Sequence, residues 1–276
     1  MSTLALSKTL GPKTARLVTQ LYEGGQTVFD VEQAAHILEL DHATVSSIIR
    51  KAVRRGIFTS VARGVYNLVP FELGDVCSHL DDRYLLVHSV LGNRPYFLSH
   101  ASALDLHRLT TQPNFRVYAS TTYRLRERVI GGNPVHFVEV KPGHFFGVIE
   151  HEIAKGQSVK VSDIERTLTD AVRQPEYCGG LVEAAKAFFM AKNKINAARV
   201  AEYAARRGIA SVVRRAGFLM ELYGLADRNI IETMKRSLAP GVVKLDPSLD
   251  SEGPYRMDWG LRLNVSSEAL LAAAAT

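Results

Sequence analysis

DVEQAAHILELDHATVSSIIRKAVRRGIFTSVARGVYNL, residues Asp30 to Leu68, holds two apolar faces of helical period and then two β-branched runs around a glycine turn. Val31, Ala34, Ala35 and Leu38 recur at three- and four-residue spacing, so one side of a short helix is apolar. Asp30 stands before it as a candidate N-cap, with Gln33 three residues on. Leu40, Asp41 and His42 make a short turn. Val45, Ile48, Ile49, Ala52 and Val53 then set a second apolar face that stops at Gly56. The other side of this second helix carries Thr44, Ser47, Lys51 and Arg54 in a line, with Ser46, Arg50 and Arg55 beside them. Residues 57–61 and 65–69 are β-branched and aromatic, and Ala62-Arg63-Gly64 between them is a tight turn with glycine where positive φ is expected.

Support helix, turn, second helix and basic-tipped ribbon are, in that order, the parts of a winged helix-turn-helix. Short hydroxyls near the start of the second helix suit approach to base edges, and the long cations behind them suit flanking phosphates. Arg63 at the ribbon tip suits a minor groove or a phosphate. The expected partner is therefore double-stranded DNA. Without DNA the same cations are a solvated helix face, and the domain becomes a protein-interaction module.

The chain has 276 residues, enough for two or three compact cores. Its formal charge is +6, and residues 1–70 carry eight Lys/Arg against five Asp/Glu, so half of the excess sits in the first quarter. That balance favours a polyanion partner. Pro70, Glu72, Gly74 and Asp75 break the pattern, which places a boundary between a winged domain at 1–70 and a second domain at 71–276. Cys77 and Cys178 stand a hundred residues apart without a Cys-x-x-Cys, so neither a zinc site nor a disulfide framework is expected, and no cofactor. No charged-then-apolar leader opens the chain, and the closing run from Leu270 to Ala275 is far too short to span a bilayer. The expected location is the cytoplasm, with no membrane partner.

Residues 1–10 read as a loose arm, and Pro12 opens a first helix through Ala15, Leu17, Val18, Leu21 and Tyr22 to Gly24-Gly25. Beyond the ribbon, a helix is expected from Cys77 to Leu91, and Ser99 is the expected cap of another containing Ala101, Ser102 and Ala103. His100 and His107 have no acidic partner at ligand spacing, which points to packing or surface rather than metal. Residues 115–122 alternate with period two, residues 127–130 and 135–140 flank the hairpin signature Gly131-Gly132-Asn133-Pro134, and 145–151 and 158–161 add strand. A small antiparallel sheet follows.

Ser162-Asp163-Ile164-Glu165 reads as a capping box with serine at the N-cap, opening a helix to Val172. Four amphipathic helices are expected over 181–191, 196–207, 209–223 and 227–238. Arg206-Arg207 and Arg214-Arg215 gather as a basic patch that suits nucleic acid, an acidic protein surface or plain solvent. Residues 242–245 and 259–265 close the chain as strands, with Trp259 in packing. The expected fold class is α+β: a winged helix-turn-helix, then a mixed domain of antiparallel sheet and helices.

One rival reading is enzymatic. Glu139 and Lys141 lie two apart on a strand and share a face, the arrangement by which metal-dependent nucleases hold a divalent ion and an attacking water. Such a site also needs an upstream acidic ligand, and Glu127 is the only acid between residues 114 and 138. The site is incomplete, so the chain is expected not to be an enzyme.

Leu98-Ser99-His100-Ala101-Ser102-Ala103-Leu104 and Ser162-Asp163-Ile164-Glu165-Arg166-Thr167-Leu168 with Asp170 follow the N-terminal pattern at set spacing. Pro175-Glu176, Gly179-Gly180, Ala216-Gly217-Phe218-Leu219, Leu245-Asp246-Pro247 and Trp259-Gly260-Leu261-Arg262-Leu263-Asn264 come after them. In this order the chain resembles the AbiEi family, antitoxins of type IV toxin-antitoxin systems, over nearly its whole length. The resemblance implies a winged helix that binds inverted repeats in its own promoter and represses a toxin operon, through the helix at Thr44 to Arg55 and the tip at Arg63. It also implies a C-terminal domain that counters a nucleotidyltransferase-like toxin without needing a stable complex. Family-like chains also occur as stand-alone regulators. Ser99, His100, Ser102, Ser162, Asp163, Glu165, Arg166, Thr167 and Asp170 are the motif positions at which the resemblance points to the antitoxin role.

Overall fold

Apolar spacing in the first seventy residues becomes three helices and a small sheet. The computed structural model describes residues 10–74, 76–154 and 156–274. Of the segments discussed above, residues 1–9 of the expected arm, Asp75 and Ala275 lie outside the described residues. The elements begin with α1 (Pro12–Glu23), β1 (Val28–Asp30), α2 (Val31–Leu38), α3 (His42–Arg54), β2 (Phe58–Ala62) and β3 (Val65–Leu68). Asp30 caps α2 as expected: its carboxylate accepts from the Gln33 backbone N–H at 2.7 Å, and the Gln33 side chain accepts from the Asp30 N–H at 3.0 Å. Asp41 caps α3, accepting from the Thr44 N–H at 2.9 Å. Leu17, Leu21, Phe29, Ala34, Val45, Ile49, Ile57 and Phe58 interlock beneath these helices with at most 1% exposure. Strand order in the sheet is β1-β3-β2, all antiparallel. β1, three residues that the periodicity does not mark, thus ties the end of the ribbon back to the start of α2.

The chain divides into two compact units, and the first reaches beyond residue 70. It comprises the described residues of Met1–Pro95, Glu127–Val135 and Glu150–Lys160; the second comprises those of Tyr96–Arg126, His136–Ile149 and Val161–Thr276. Side chains explain why residue 70 is no break. Asn67, fully buried, accepts from the Asp81 N–H at 2.6 Å and donates to its carboxylate at 3.0 Å, while Thr59 Oγ1 accepts from the His79 N–H at 2.9 Å. These bonds hold His79 and Asp81 against the ribbon, in a stretch without helix. The helix expected from Cys77 accordingly starts later, as α4 (Arg83–Leu91), with Asp82 as its cap.

Next come β4 (Tyr96–Leu98), α5 (His100–Leu106), β5 (Val117–Thr121), β6 (Arg128–Ile130), β7 (Asn133–Glu139), β8 (Val148–Ala154) and β9 (Gln157–Ser162). Strand order is β6-β7-β5-β4-β9-β8. The sheet is mixed rather than purely antiparallel, because β4 runs parallel to β9 through Leu98 and Val161. Antiparallel pairing joins β4 to β5 and β6 to β7. Gly131 and Gly132 make the β6–β7 turn with φ of 52° and 76°, conformations that glycine alone adopts without cost.

The second unit continues with α6 (Ile164–Arg173), α7 (Leu181–Met190), α8 (Ala197–Arg206), α9 (Ala210–Leu222), α10 (Arg228–Arg236), β10 (Val243–Lys244), β11 (Tyr255–Arg256), β12 (Leu261–Arg262) and α11 (Ser267–Ala274). α6 is the hub and packs on α5, α7, α8 and α9. Eight of its ten residues, Glu165 to Val172, are buried, so its polar side must find partners inside the protein. Its N-cap is Asp163, not Ser162: the Asp163 carboxylate accepts from the Arg166 N–H at 2.7 Å, and Ser162 ends β9. The apolar closing run is helix α11, packed on α7.

Trp259 is wholly buried, as expected, and donates its indole N–H to Glu221 at 2.6 Å. Its ring lies against Gly217, where a Cβ would stand 2.2 Å from the ring carbon Cη2. Among the described residues no helix is long and apolar enough to cross a membrane.

Candidate functional site

Burying Val45, Ile49 and Ala52 turns the opposite side of α3 outward. Arg50, Lys51, Arg54 and Arg55 are exposed, and Thr44, Ser46 and Ser47 are half-buried. Not all of these groups are equally available. Thr44 donates its hydroxyl to Asp41 at 2.6 Å, so the N-cap holds it, and Arg50 Nε donates to the Ser46 carbonyl at 3.2 Å. Among the described residues the side chains of Lys51, Arg54 and Arg63 have no hydrogen-bond or ion-pair partner.

β2 and β3 meet in a two-residue turn, Ala62 opposite Val65, with Gly64 at φ 78° and Arg63 exposed at the tip. Val61 is an extra residue in β2, a bulge that twists the ribbon just before its tip. From His42 to Phe71 the chain has five Lys/Arg and no acidic residue. α3 and the ribbon therefore present a positive surface that no carboxylate of the same segment neutralises.

Motif residues of the second unit lie in its interior. Ser99, His100, Ser102, Ser162, Asp163, Glu165, Arg166, Thr167 and Asp170 are each at most 8% exposed. They are linked by hydrogen bonds. Asp170 accepts from Arg166 Nε at 2.8 Å and from Arg207 Nη2, so one carboxylate sits between two guanidinium groups. Arg166 also donates from Nη1 to the carbonyls of His144 at 2.8 Å and Phe146 at 3.0 Å, and stacks over the Phe146 ring at 4.4 Å. Asp163 accepts from the Tyr203 hydroxyl at 3.0 Å, and Glu165 accepts from the Asn196 N–H at 2.8 Å, which docks α8 onto α6.

On the sheet side, Ser99 Oγ accepts from Ser120 Oγ at 2.9 Å and meets His100 Nδ1 at 2.9 Å. Ser99 stands at the N-cap of α5, as expected, but its hydroxyl is engaged in these bonds rather than with the helix. Ser102 accepts from the Tyr118 N–H at 2.8 Å. Three segments distant in sequence are thereby fastened together, which is packing work and not a surface.

Around His100 the nearby charges are arginines. Burial, and then Arg207, Arg166 and Arg173 nearby, hold the His100 imidazole down to about 3, so it is neutral at physiological pH. His100 has φ 51°, uncommon for a residue with a side chain, and its Nε2 has no partner. Burial lowers Arg166 to about 10 and, together with the field of Arg166, lowers Arg207 to about 9; both remain charged. Burial raises the Asp163 carboxyl above its ordinary range.

The expected basic patch is mostly interior. Arg207, Arg214 and Arg215 are 2–5% exposed, and only Arg206 of the four is exposed. Arg214 Nη1 donates to the Trp259 carbonyl at 2.8 Å, and Arg215 donates to the carbonyls of Val172 and Lys244 at 3.0 Å each. Charge clustering in the sequence does not reveal this, because Arg214 and Arg215 on the buried α9 turn to backbone oxygens and Arg207 pairs with Asp170. Arg173 had no expected role either. It follows Arg166 and Asp170 at i+7 and i+3 along one stripe of α6, a spacing visible in the sequence but not singled out above.

Glu139 and Lys141 are both exposed and line a cavity of about 640 Å³ with His144, Arg173 and Arg207. Glu139 is its only acidic wall residue. Among the described residues no group of three His, Cys, Asp or Glu side chains could hold a metal ion. Cys77 is exposed and Cys178 buried, and neither is in a disulfide.

The fold has a solved counterpart. The crystal structure of the RV2827C protein from Mycobacterium tuberculosis superposes with a TM-score of 0.71 at 16% identity, over 100% of this chain and 99% of that one. At this identity the likeness is one of fold. No protein-family model matches the chain, and no curated protein sequence does.

Proposed function

We propose that α1 to β3 form a winged helix-turn-helix and that the protein is a sequence-specific DNA-binding repressor of its own promoter. The observation that carries this reading is the positive surface of α3 and the β2–β3 ribbon, with the side chains of Lys51, Arg54 and Arg63 unpartnered over a segment free of acids. Helix order and the β1-β3-β2 sheet support it, since they set a basic-tipped hairpin beside the helix that would enter a major groove. α3 is 13 residues long, about 20 Å at 1.5 Å per residue, enough to cross such a groove with its hydroxyls leading and its cations on the flanking phosphates.

On the resemblance to AbiEi antitoxins, the second unit is the part that would counter a nucleotidyltransferase-like toxin, and the location would be cytoplasmic. The interior position of Ser99 to Asp170 means that these side chains serve that role by building the unit, not by touching the toxin.

The test is a titration of the purified protein against its own upstream DNA and a scrambled duplex at two salt concentrations. Preferential binding that weakens with salt is expected. Equal weak binding to both duplexes refutes the reading and leaves a charged surface for a protein partner. Rescue from a co-expressed toxin is the corresponding test of the antitoxin role.

A further inference from the structure

The cavity beside the buried polar centre has walls of unequal charge. Lys141, Arg173 and Arg207 line it, and Glu139 is the only carboxylate among its lining residues. Asp170, the nearest further acid to Arg207, is already shared between Arg207 and Arg166. Arg207, 2% exposed, has no partner for Nε or Nη1, and Arg166 has none for Nη2. Both guanidinium groups are wholly enclosed and share the single carboxylate of Asp170, so they act on the cavity through their charge rather than by contact.

Field and geometry agree. His144, another wall residue, has its imidazole pushed below the ordinary range by burial and then by Arg207, Arg166, Arg173 and Lys141, four cations acting in one direction. The rest of the wall is uncharged, with Val140, Pro142 and Ile209 giving an apolar side and Thr122 a hydroxyl. At about 640 Å³ the space lies within the range of small-molecule sites and exceeds a lone phosphate.

From these features we infer that the second unit binds a small phosphorylated molecule in this cavity, the phosphoryl group facing Arg173 and Lys141, with the enclosed charge of Arg207 behind them, and an organic body resting on the Val140–Ile209 side. Arginine suits such recognition because its fork of donors matches phosphate oxygens. No residue of α3 lines the cavity, so the inference stands or falls independently of DNA binding.

Calorimetric titration of the full chain with ATP in EDTA, with sodium phosphate and with adenosine, all at matched ionic strength, tests it. Arg173→Gln and Lys141→Gln are the variants; Lys141 is exposed and Arg173 half-buried with no ion pair among the described residues, so neither removes a structural contact. Saturable binding of ATP, weaker binding of phosphate and none of adenosine are expected, with affinity reduced about tenfold or more in each variant. Equal binding of phosphate and ATP that is lost in the variants assigns the site to the phosphoryl group alone and supports the inference. Absence of saturable binding by both anions, or binding unchanged in both variants, overturns it.

Discussion

Acid should weaken this protein through one histidine. His100 is buried, and its imidazole is held near 3 by burial and by Arg207, Arg166 and Arg173. In the unfolded chain it titrates near 6.5. Below pH 6.5 the unfolded state therefore takes up a proton that the folded state refuses, down to about pH 3. Stability from this group is complete above pH 6.5 and falls as the pH drops. The slope is about 1.4 kcal/mol per pH unit, so about 2 kcal/mol is lost by pH 5.

The comparison protein is His100→Asn. Asparagine tolerates the left-handed backbone found at φ 51° and carries no proton in this range. His88 and His144 are also lowered, mainly by burial, but they remain in both proteins and cancel. Urea unfolding at pH 7 and pH 5 measures the effect. Wild type should lose about 2 kcal/mol more than the variant over that interval. Parallel losses would show that His100 is not the buried neutral group described here and would refute the account of its surroundings.

Lys51→Ala combined with Arg54→Ala should weaken operator binding and flatten the plot of log affinity against log salt by about 1.8, two phosphate contacts at about 0.9 each, with an unchanged circular dichroism spectrum; an unaltered slope removes α3 as the DNA-facing element. Asp170→Asn leaves two buried guanidinium groups without their carboxylate and should cost about 3–5 kcal/mol, read by urea unfolding. Gly217→Ala drives a methyl into the Trp259 ring, 2.2 Å from Cη2, and should destabilise by about 3 kcal/mol with a red shift of tryptophan emission; the wild-type spectrum and midpoint would contradict that packing.

Elements set by local chemistry were legible in the sequence. The caps at Asp30 and Gln33, the stop at Gly56 and the hairpin at Gly131-Gly132 each depend on residues within a few positions of one another, and the structure has them where they were expected. What was not legible depends on distant partners. The start of α4 moved from Cys77 to Arg83 because Asn67 and Thr59 hold His79 and Asp81 against the ribbon, a contact that no window of helical periodicity contains. The parallel pairing of Leu98 with Val161 is equally remote. For the candidate sites, exposure decided the outcome. The cations of α3 face solvent, whereas Arg207, Arg214 and Arg215, identical in type, are interior because α6, α8 and α9 enclose them. Pairs of arginines read the same in either setting.

The interleaving of the two units has a consequence for synthesis. The first unit draws on Met1–Pro95 but also on Glu127–Val135 and Glu150–Lys160. A ribosome that has made residue 95 has still to add the residues up to 160 before that unit has all its parts, an interval of about 3–13 s at about 5–20 residues per second. During that interval the nascent chain already carries α3 and its cations but not the whole body that supports them. A gene fragment ending at residue 70 or 95 would freeze the chain in this incomplete condition, so a fragment meant to test the proposed DNA binding has to be cut no earlier than residue 160.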